Sequence, residues 1–485
     1  MTESARTVLF VLGVMLSALS AAMLAPAMID LNAASRADHA FFGSALAGLA
    51  IGGVMTLSGR GTDKRMNARG AIILTGGSWA MLSLAAALPL KLALPELSWT
   101  DAIFEATSGI TTTGATVLTG LQDLPAGVLL WRSILQWIGG IGIIVTAMAI
   151  WPLLGIGGMQ LFRLESSDAS EKALPRAGQI AGAVGLVYLA LTFACFISYL
   201  SADMNTFDAV NHAMTTVATG GFSTHDASIG AFKDSGADIV ALVFMILAAL
   251  PFVLFMWAVR GRPDLLLNDP QSRGFLLVAF LASLCLTLWL LLNPGVDESG
   301  LPAWRAAAVN AVSVLTGTGY ASTDFYAWGG GAAALFFLLM FIGGCAGSTT
   351  CSVKIFRYQI AGSALGAYIA QYARRHSVKP IRYRGKTVPD ATVRSVLGFF
   401  FVFFASFAVS AVILSFLGLD TTTAISGAAT TLANVGPGLG EIIGPAGSFQ
   451  PLPDPAKWVM TANMLIGRLE IMVMLVMLTP GFWQR

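Results

Sequence analysis

Four short polar stretches interrupt an otherwise apolar chain: Thr111–Thr116 (TTTGAT), Ala218–Ser223 (ATGGFS), Thr316–Ser322 (TGTGYAS) and Ala433–Gly438 (ANVGPG). Each sets a glycine among hydroxyl, amide or small residues. A residue without Cβ can turn its backbone carbonyl toward a shared axis, and rings of such carbonyls replace the water shell of a dehydrated cation. Taking Gly114, Gly220, Gly319 and Gly436 as equivalent gives intervals of 106, 99 and 117 residues. Four copies of one unit can close around an axis. Helix packing or simple turns account for one such stretch about as well; four in register point to a pore.

The surroundings set where that chemistry takes place. Of 485 residues, 56% are hydrophobic and only 11% charged, which excludes a soluble protein and predicts an all-α integral membrane fold. The net charge of +2 says little, because the placement of Lys and Arg carries the information in a membrane chain. Cys195, Cys285, Cys345 and Cys351 lack metal-ligand spacing and read as reduced thiols in apolar segments. His39, His212, His225 and His376 are scattered with no metal spacing, and no HExxH or nucleophile–base pair stands at membrane depth, so the chain is not read as an enzyme. The apolar run Thr7 to Met28 is long enough to span and reads as a retained helix instead of a leader.

Two apolar stretches, 7–28 and 40–58, come first, and each unit then follows one plan. A spanning helix leads to a short segment (101–112, 205–218, 304–316 and 421–433), the polar stretch, and a second apolar helix. The short segments cannot cross a bilayer and predict re-entrant helices, with Asp101, Asn205 and Thr421 as N-caps. Such a helix aims its negative dipole end at the polar stretch, which favours a cation there. Arg69, Arg176, Arg273 and Arg394 stand 45, 44, 46 and 42 residues before the four glycines, a second mark of repetition. The predicted divisions are 1–69, an N-terminal helix pair, then units at 70–177, 178–273, 274–391 and 392–485. With ten spans, Lys and Arg crowd the side of the N-terminus, and only Arg36, Lys91, Arg132, Lys233, Arg305 and Lys457 fall opposite. The polar stretches therefore open outward and the termini face the cytoplasm.

The four motifs, the helix–short helix–helix plan and the extra N-terminal pair resemble the potassium-translocating membrane subunits of Trk/Ktr-type transporters, the TrkH-like branch more than the KtrB-like one. The resemblance covers essentially the whole chain. It implies four pseudo-symmetric repeats around a central pore in a bacterial inner membrane, with potassium as the bound substrate and no organic cofactor. It also implies a filter with one glycine per repeat, matched by Gly114, Gly220, Gly319 and Gly436, with Thr112, Thr113, Thr219, Thr318, Asn434 and Val435 supplying carbonyls and, from threonine, hydroxyls. A serine in place of the first glycine accompanies sodium transport in related plant and fungal proteins, so Gly114 implies potassium. The resemblance further implies a homodimer and a cytoplasmic RCK-type (TrkA-like) nucleotide-binding regulatory subunit; nothing points to nucleic acid.

Below the third stretch, Gly343-Gly344-Cys345-Ala346-Gly347-Ser348-Thr349-Thr350-Cys351-Ser352-Val353-Lys354 interrupts a spanning helix. Small and hydroxyl residues weaken helical order, and the freed backbone needs partners. The segment resembles the family's intramembrane gate loop, with the departure that Cys351 and Ser352 stand where many members carry glycines. A kinked helix with no gating role is the bland reading. Arg468 lies inside the apolar run Trp458 to Leu478, where a central arginine costs at least about 2.5 kcal/mol. By resemblance it sits under the filter beside Gly343, Gly344, Gly347, Ser348, Thr349 and Lys354 and repels cations; an arginine paired for assembly is the alternative, and Glu470 lies on another helical face. Glu105, Asp208, Asp324 and Glu441 can enrich cations at the outer mouth or serve as caps. The basic run Arg374, Arg375, Lys379, Arg382, Arg384 and Lys386 suits anionic lipid or a partner protein, though topology alone explains it.

An alternating-access carrier for another solute is the competing function, but such carriers more often show inverted repeats, whereas these four units share one orientation. The filter reading makes a first prediction. Gly114→Ser will weaken discrimination against sodium, read as a shifted reversal potential in mixed potassium and sodium; an unchanged permeability ratio at normal expression removes Gly114 from the filter.

Overall fold

The computed structural model describes residues 3–32, 37–60, 67–149, 177–374, 380–469, 471–477 and 479–484. Arg176, one of the four marker arginines, lies outside them, as do Arg375, Lys379 and Glu470. Among the described residues seven helices are long and apolar enough to span a membrane: Ser4–Ile29, Ala37–Ser58, Arg69–Ala93, Ala126–Ile144, Ala181–Ser201, Pro270–Leu292 and Asp390–Phe416. Among the described residues the fold is all-α apart from two pairs of two-residue strands. The first two helices pack so closely that a Cβ on Gly13 or Gly52 would meet the other's carbonyl oxygen, the small-residue contact by which membrane helices approach.

The three expected spans missing from that set are broken. After Ala237–Ala248 the chain turns at Pro251 and continues as Phe252–Val259, bent by 94°. Proline at the new N-cap supplies no amide to the preceding helix. Gly330–Leu339 stops short and gives way to the segment 342–354 before Ile355–Ala373 resumes. The last expected span ends its first helix, Asp454–Arg468, at Arg468, and Ile471–Met477 follows. Arg468 is thus not mid-helix, as the hydropathy implies, but at the negative end of a helix dipole, where a cation is favoured.

Four short helices, Trp99–Ile110, Thr206–Val217, Ala303–Thr316 and Thr421–Ala433, occupy the predicted re-entrant positions. Their second halves are buried within protein, which is the condition for irregular backbone at membrane depth. Asn205 caps the second, as expected, by accepting from the Asp208 amide at 2.9 Å. The other caps shift. Ser98, not Asp101, caps the first helix: its hydroxyl accepts from the Asp101 amide at 3.0 Å and donates to the Asp101 carboxylate at 2.8 Å. Asp420, not Thr421, caps the fourth, through the Thr423 amide at 3.0 Å. The caps lie three residues earlier in the first helix and one residue earlier in the fourth, because a capping side chain must reach an amide two or three residues ahead of it.

The segment 342–354 is closed by a parallel pair, Ile342–Gly343 against Val353–Lys354. It docks into the break before Phe252. The Cys345 amide donates to Ala249 O at 3.0 Å, the Thr349 hydroxyl to Ala248 O at 3.1 Å, and the Phe252 amide to Gly347 O at 3.0 Å. Each broken helix thereby satisfies the other's orphaned groups. Gln271 adds a side-chain acceptor for the Ala346 amide at 2.9 Å.

Candidate functional site: a ring of four loops

Each short helix runs into its polar stretch through the same turn. The amides of Thr113, Gly220, Thr318 and Val435 donate to the carbonyls of Ser108, Thr215, Ser313 and Thr430 at 2.8, 2.9, 2.9 and 3.0 Å. Two left-handed residues bracket each of those amides: Thr112 and Gly114, Thr219 and Gly221, Gly317 and Gly319, Asn434 and Gly436. The register in the second loop therefore moves by one residue from the sequence alignment. Gly221, with φ +75°, is the counterpart of Gly114 and Gly436, while Gly220 aligns with Thr113, Thr318 and Val435. Gly220 and Gly221 are the same residue type, so only backbone conformation separates their places.

A left-handed β-branched residue is strained, by about 1–3 kcal/mol, and Thr112 and Thr219 both carry it at φ +51°. Neighbours hold these turns. Thr113 Oγ1 lies 2.7 Å from Thr111 Oγ1 and accepts from Asn434 Nδ2 at 2.8 Å; Asn434 Nδ2 also donates to Met464 O at 2.9 Å. Thr318 Oγ1 lies 2.7 Å from Thr316 Oγ1, and Thr219 Oγ1 donates to Ala218 O at 2.8 Å. The threonine hydroxyls expected to face an ion have protein partners, which leaves carbonyl oxygens as the ready acceptors.

The loops meet in cyclic order. A Cβ at Gly114 would collide with Gly220 O, one at Gly221 with Thr318 O, and one at Gly319 with Val435 O. A Cβ at Gly436 would lie 2.8 Å from Thr113 O, closing the circuit from the fourth loop to the first. Glycine is required at these places because the next loop's carbonyl stands where a side chain would go.

Behind the first two loops lies a buried ion pair. Arg132 Nε donates to Glu105 Oε1 at 2.8 Å, Nη1 to Ser223 O at 2.9 Å and Nη2 to Thr116 Oγ1 at 3.2 Å. Glu105 also accepts from the Val117 amide at 2.9 Å. Both side chains are buried, so neither is an outer-mouth charge. Asp208 is buried too, accepting from Thr224 Oγ1 and Asn205 Nδ2 at 2.6 Å each. Lys457 pairs with Asp101 at 2.6 Å. Asp324 and Glu441 are exposed, Asp324 capping the Tyr326 amide at 3.1 Å. His212, unassigned from sequence, is locked behind the second loop: Nδ1 donates to Asp208 O at 2.8 Å, which leaves Nε2, 3.0 Å from Ser223 Oγ, to accept.

Segment 342–354 reaches this ring through Cys351, whose Sγ lies 3.5 Å from Thr112 Oγ1. Arg468 contacts the same sulfur and donates to Thr349 O at 3.3 Å. Its Nε and Nη2 are buried and have no partner among the described residues. Lys354 turns onto its own segment, with Nζ bonded to Thr350 O and, at 2.9 Å, to Thr350 Oγ1. The structure thus brings Gly343, Gly344, Gly347, Ser348, Thr349, Lys354 and Arg468 into one neighbourhood. Of the basic run, Arg384 pairs with Asp269.

The family model for TrkH, described as a cation transport protein, matches residues 37–481. The chain belongs to the TrkH family. It is 48% identical over 417 residues to the Trk system potassium uptake protein TrkI of Halomonas elongata, covering 85% of this chain and 84% of that one. To the TrkH protein of Vibrio parahaemolyticus it is 37% identical over 485 residues, covering 99% of each. The crystal structure of the potassium transporter TrkH from that organism superposes with a TM-score of 0.90 at 36% identity, again over 99% of both chains. Membership of the TrkH family makes the chain a multi-span membrane transporter and not an enzyme.

Arg132 gives a prediction at this level. Arg132→Met strands a buried carboxylate and will destabilise the protein by about 3–5 kcal/mol. Adding Glu105→Gln, which keeps the acceptor for the Val117 amide without the charge, will recover most of it, measured by thermal unfolding of the purified protein.

Proposed function

We propose that the chain conducts potassium into a bacterial cell through the ring of four loops, taken as a selectivity filter. The observation that carries this reading is the closed circuit of glycines and carbonyls, each glycine seated against the next loop's oxygen. Four helix C-termini end at that circuit, and their negative dipole ends favour a cation between them. Carbonyls of Thr112, Thr113, Gly114, Thr219, Gly220, Thr318, Gly319, Asn434, Val435 and Gly436 are the proposed ligands, with Gly221 joining them. Relatives named as potassium uptake proteins support the choice of ion.

The units at 70–177, 178–273, 274–391 and 392–485 surround the path, with the helix pair at 1–69 outside it. Loops open outward and termini face the cytoplasm of an inner membrane, in keeping with the distribution of Lys and Arg. The membrane subunit works as a homodimer with a cytoplasmic RCK-type nucleotide-binding partner. Segment 343–354 and Arg468 form the gate below the filter. An unpaired guanidinium edge beside the path repels an entering cation: two unit charges about 4 Å apart at an effective dielectric of about 20 repel by about 4 kcal/mol.

Flux of potassium, rubidium and sodium into proteoliposomes holding the purified chain tests the function. Fast potassium and rubidium flux with little sodium supports it; sodium flux equal to potassium, or a saturating substrate-coupled current, overturns it. Arg468→Ala will raise potassium flux without any regulatory subunit, and Arg468→Lys will keep most of the block. Loss of flux in alanine with retention in lysine would mark Arg468 as structural. Cys351→Gly with Ser352→Gly will raise rubidium uptake, because the pair removes the sulfur that meets Arg468 and the bond from Ser352 Oγ to Met340 O at 2.8 Å.

A further inference from the structure

The second loop differs from the other three at one oxygen. The carbonyls of Gly220, Thr318, Val435 and Thr113 stand in the same relation to the glycine of the preceding loop. The Gly220 carbonyl also accepts from Gln136 Nε2 at 2.6 Å, whereas no donor among the described residues reaches the other three. The same amide accepts through Oε1 from the Phe222 amide at 3.0 Å, so one side chain grips the backbone on both sides of Gly221. Gln136 is fully buried on the helix Ala126–Ala149.

Gly220 and Gln136 are sterically matched. A Cβ at Gly220 would fall into the Gln136 amide. The other loops carry Thr113, Thr318 and Val435 at that position, so the glutamine amide fills in one quadrant the volume that a side chain of the loop fills in the rest. A donated hydrogen bond draws electron density from the Gly220 oxygen and holds it back from the axis, in a site where hydrogen bonds are strong.

We propose that Gln136 is a specificity-determining positioning residue: its amide makes the carbonyl ring three-plus-one and keeps the second quadrant from closing onto an ion smaller than potassium. This rests on the filter reading of the four loops. A ring free to contract supplies short contacts to sodium, whereas one held open leaves sodium under-coordinated.

Reversal potentials in mixed potassium and sodium, recorded from proteoliposomes with the full chain, test it, since a permeability ratio is independent of the amount of protein. Gln136→Glu recorded over a rising pH series is the decisive variant, because it keeps the acceptor for the Phe222 amide and, once ionised, loses the proton donated to Gly220, which a protonated carboxyl would still supply. The expected result is a fall in the potassium-to-sodium ratio of roughly fivefold, the worth of one hydrogen bond. Gly220→Thr alone will lose flux through collision with the amide, and Gly220→Thr with Gln136→Ala, which rebuilds the arrangement of the other loops, will regain it. A wild-type ratio in Gln136→Glu throughout the pH series, failure of that variant to insert, or a double variant no better than Gly220→Thr overturns the proposal. If the unaltered chain itself shows no preference for potassium, it is the filter reading that falls.

Discussion

Backbone that leaves helical geometry inside a membrane must find its hydrogen-bond partners within the protein, and this structure is organised around that requirement. The break at Ala249 to Pro251 and the interruption at 342–354 lie far apart in sequence, yet each supplies what the other lacks. Neither segment would be tolerable alone. Their mutual satisfaction places a non-helical element beneath the four loops, held by a handful of hydrogen bonds in place of a continuous helix.

The same requirement governs the ring. Each polar stretch leaves its helix through a three-residue turn whose first and last residues are left-handed, and the strain at Thr112 and Thr219 is borne by surrounding side chains. Thr111, Thr316, Asn434 and Gln136 anchor the loops from behind. Their role frees a set of carbonyl oxygens that secondary structure would otherwise consume. Close approach then demands glycine, which links a steric rule to the ion chemistry proposed for the ring.

Two buried arginines show how differently one residue type is used. Arg132 spreads its guanidinium over Glu105, Ser223 and Thr116 and stacks on Phe222 with its Cζ 4.1 Å from the ring centroid. Its charge is spent on structure. Arg468, by contrast, meets only Thr349 O and the Cys351 sulfur and keeps two nitrogens unpartnered among the described residues. A charge so poorly compensated acts on any ion that comes near it, which is the physical basis of the gate proposed for it.

Composition and hydropathy determined the membrane class, and the recurrence of glycine-bearing polar stretches determined four short helices and where they end, because both follow from local residue type. Arg468 was legible for the same reason, as a charge in an apolar run. Arg132 sits in an apolar helix with the same signal, yet the sequence places it only on the outer side, and Glu105 only as a mouth charge or a cap, because a partner distant in sequence leaves no local trace. The choice between Gly220 and Gly221 likewise fell to the tertiary structure: both lack a side chain, and only the hydrogen bond from Gly220 to Thr215 and the approach of Thr318 O assign their places. The broken helices, the docking of one break into another and the grip of Gln136 on Gly220 were decided there too, since each is a contact between segments whose spacing carries no period.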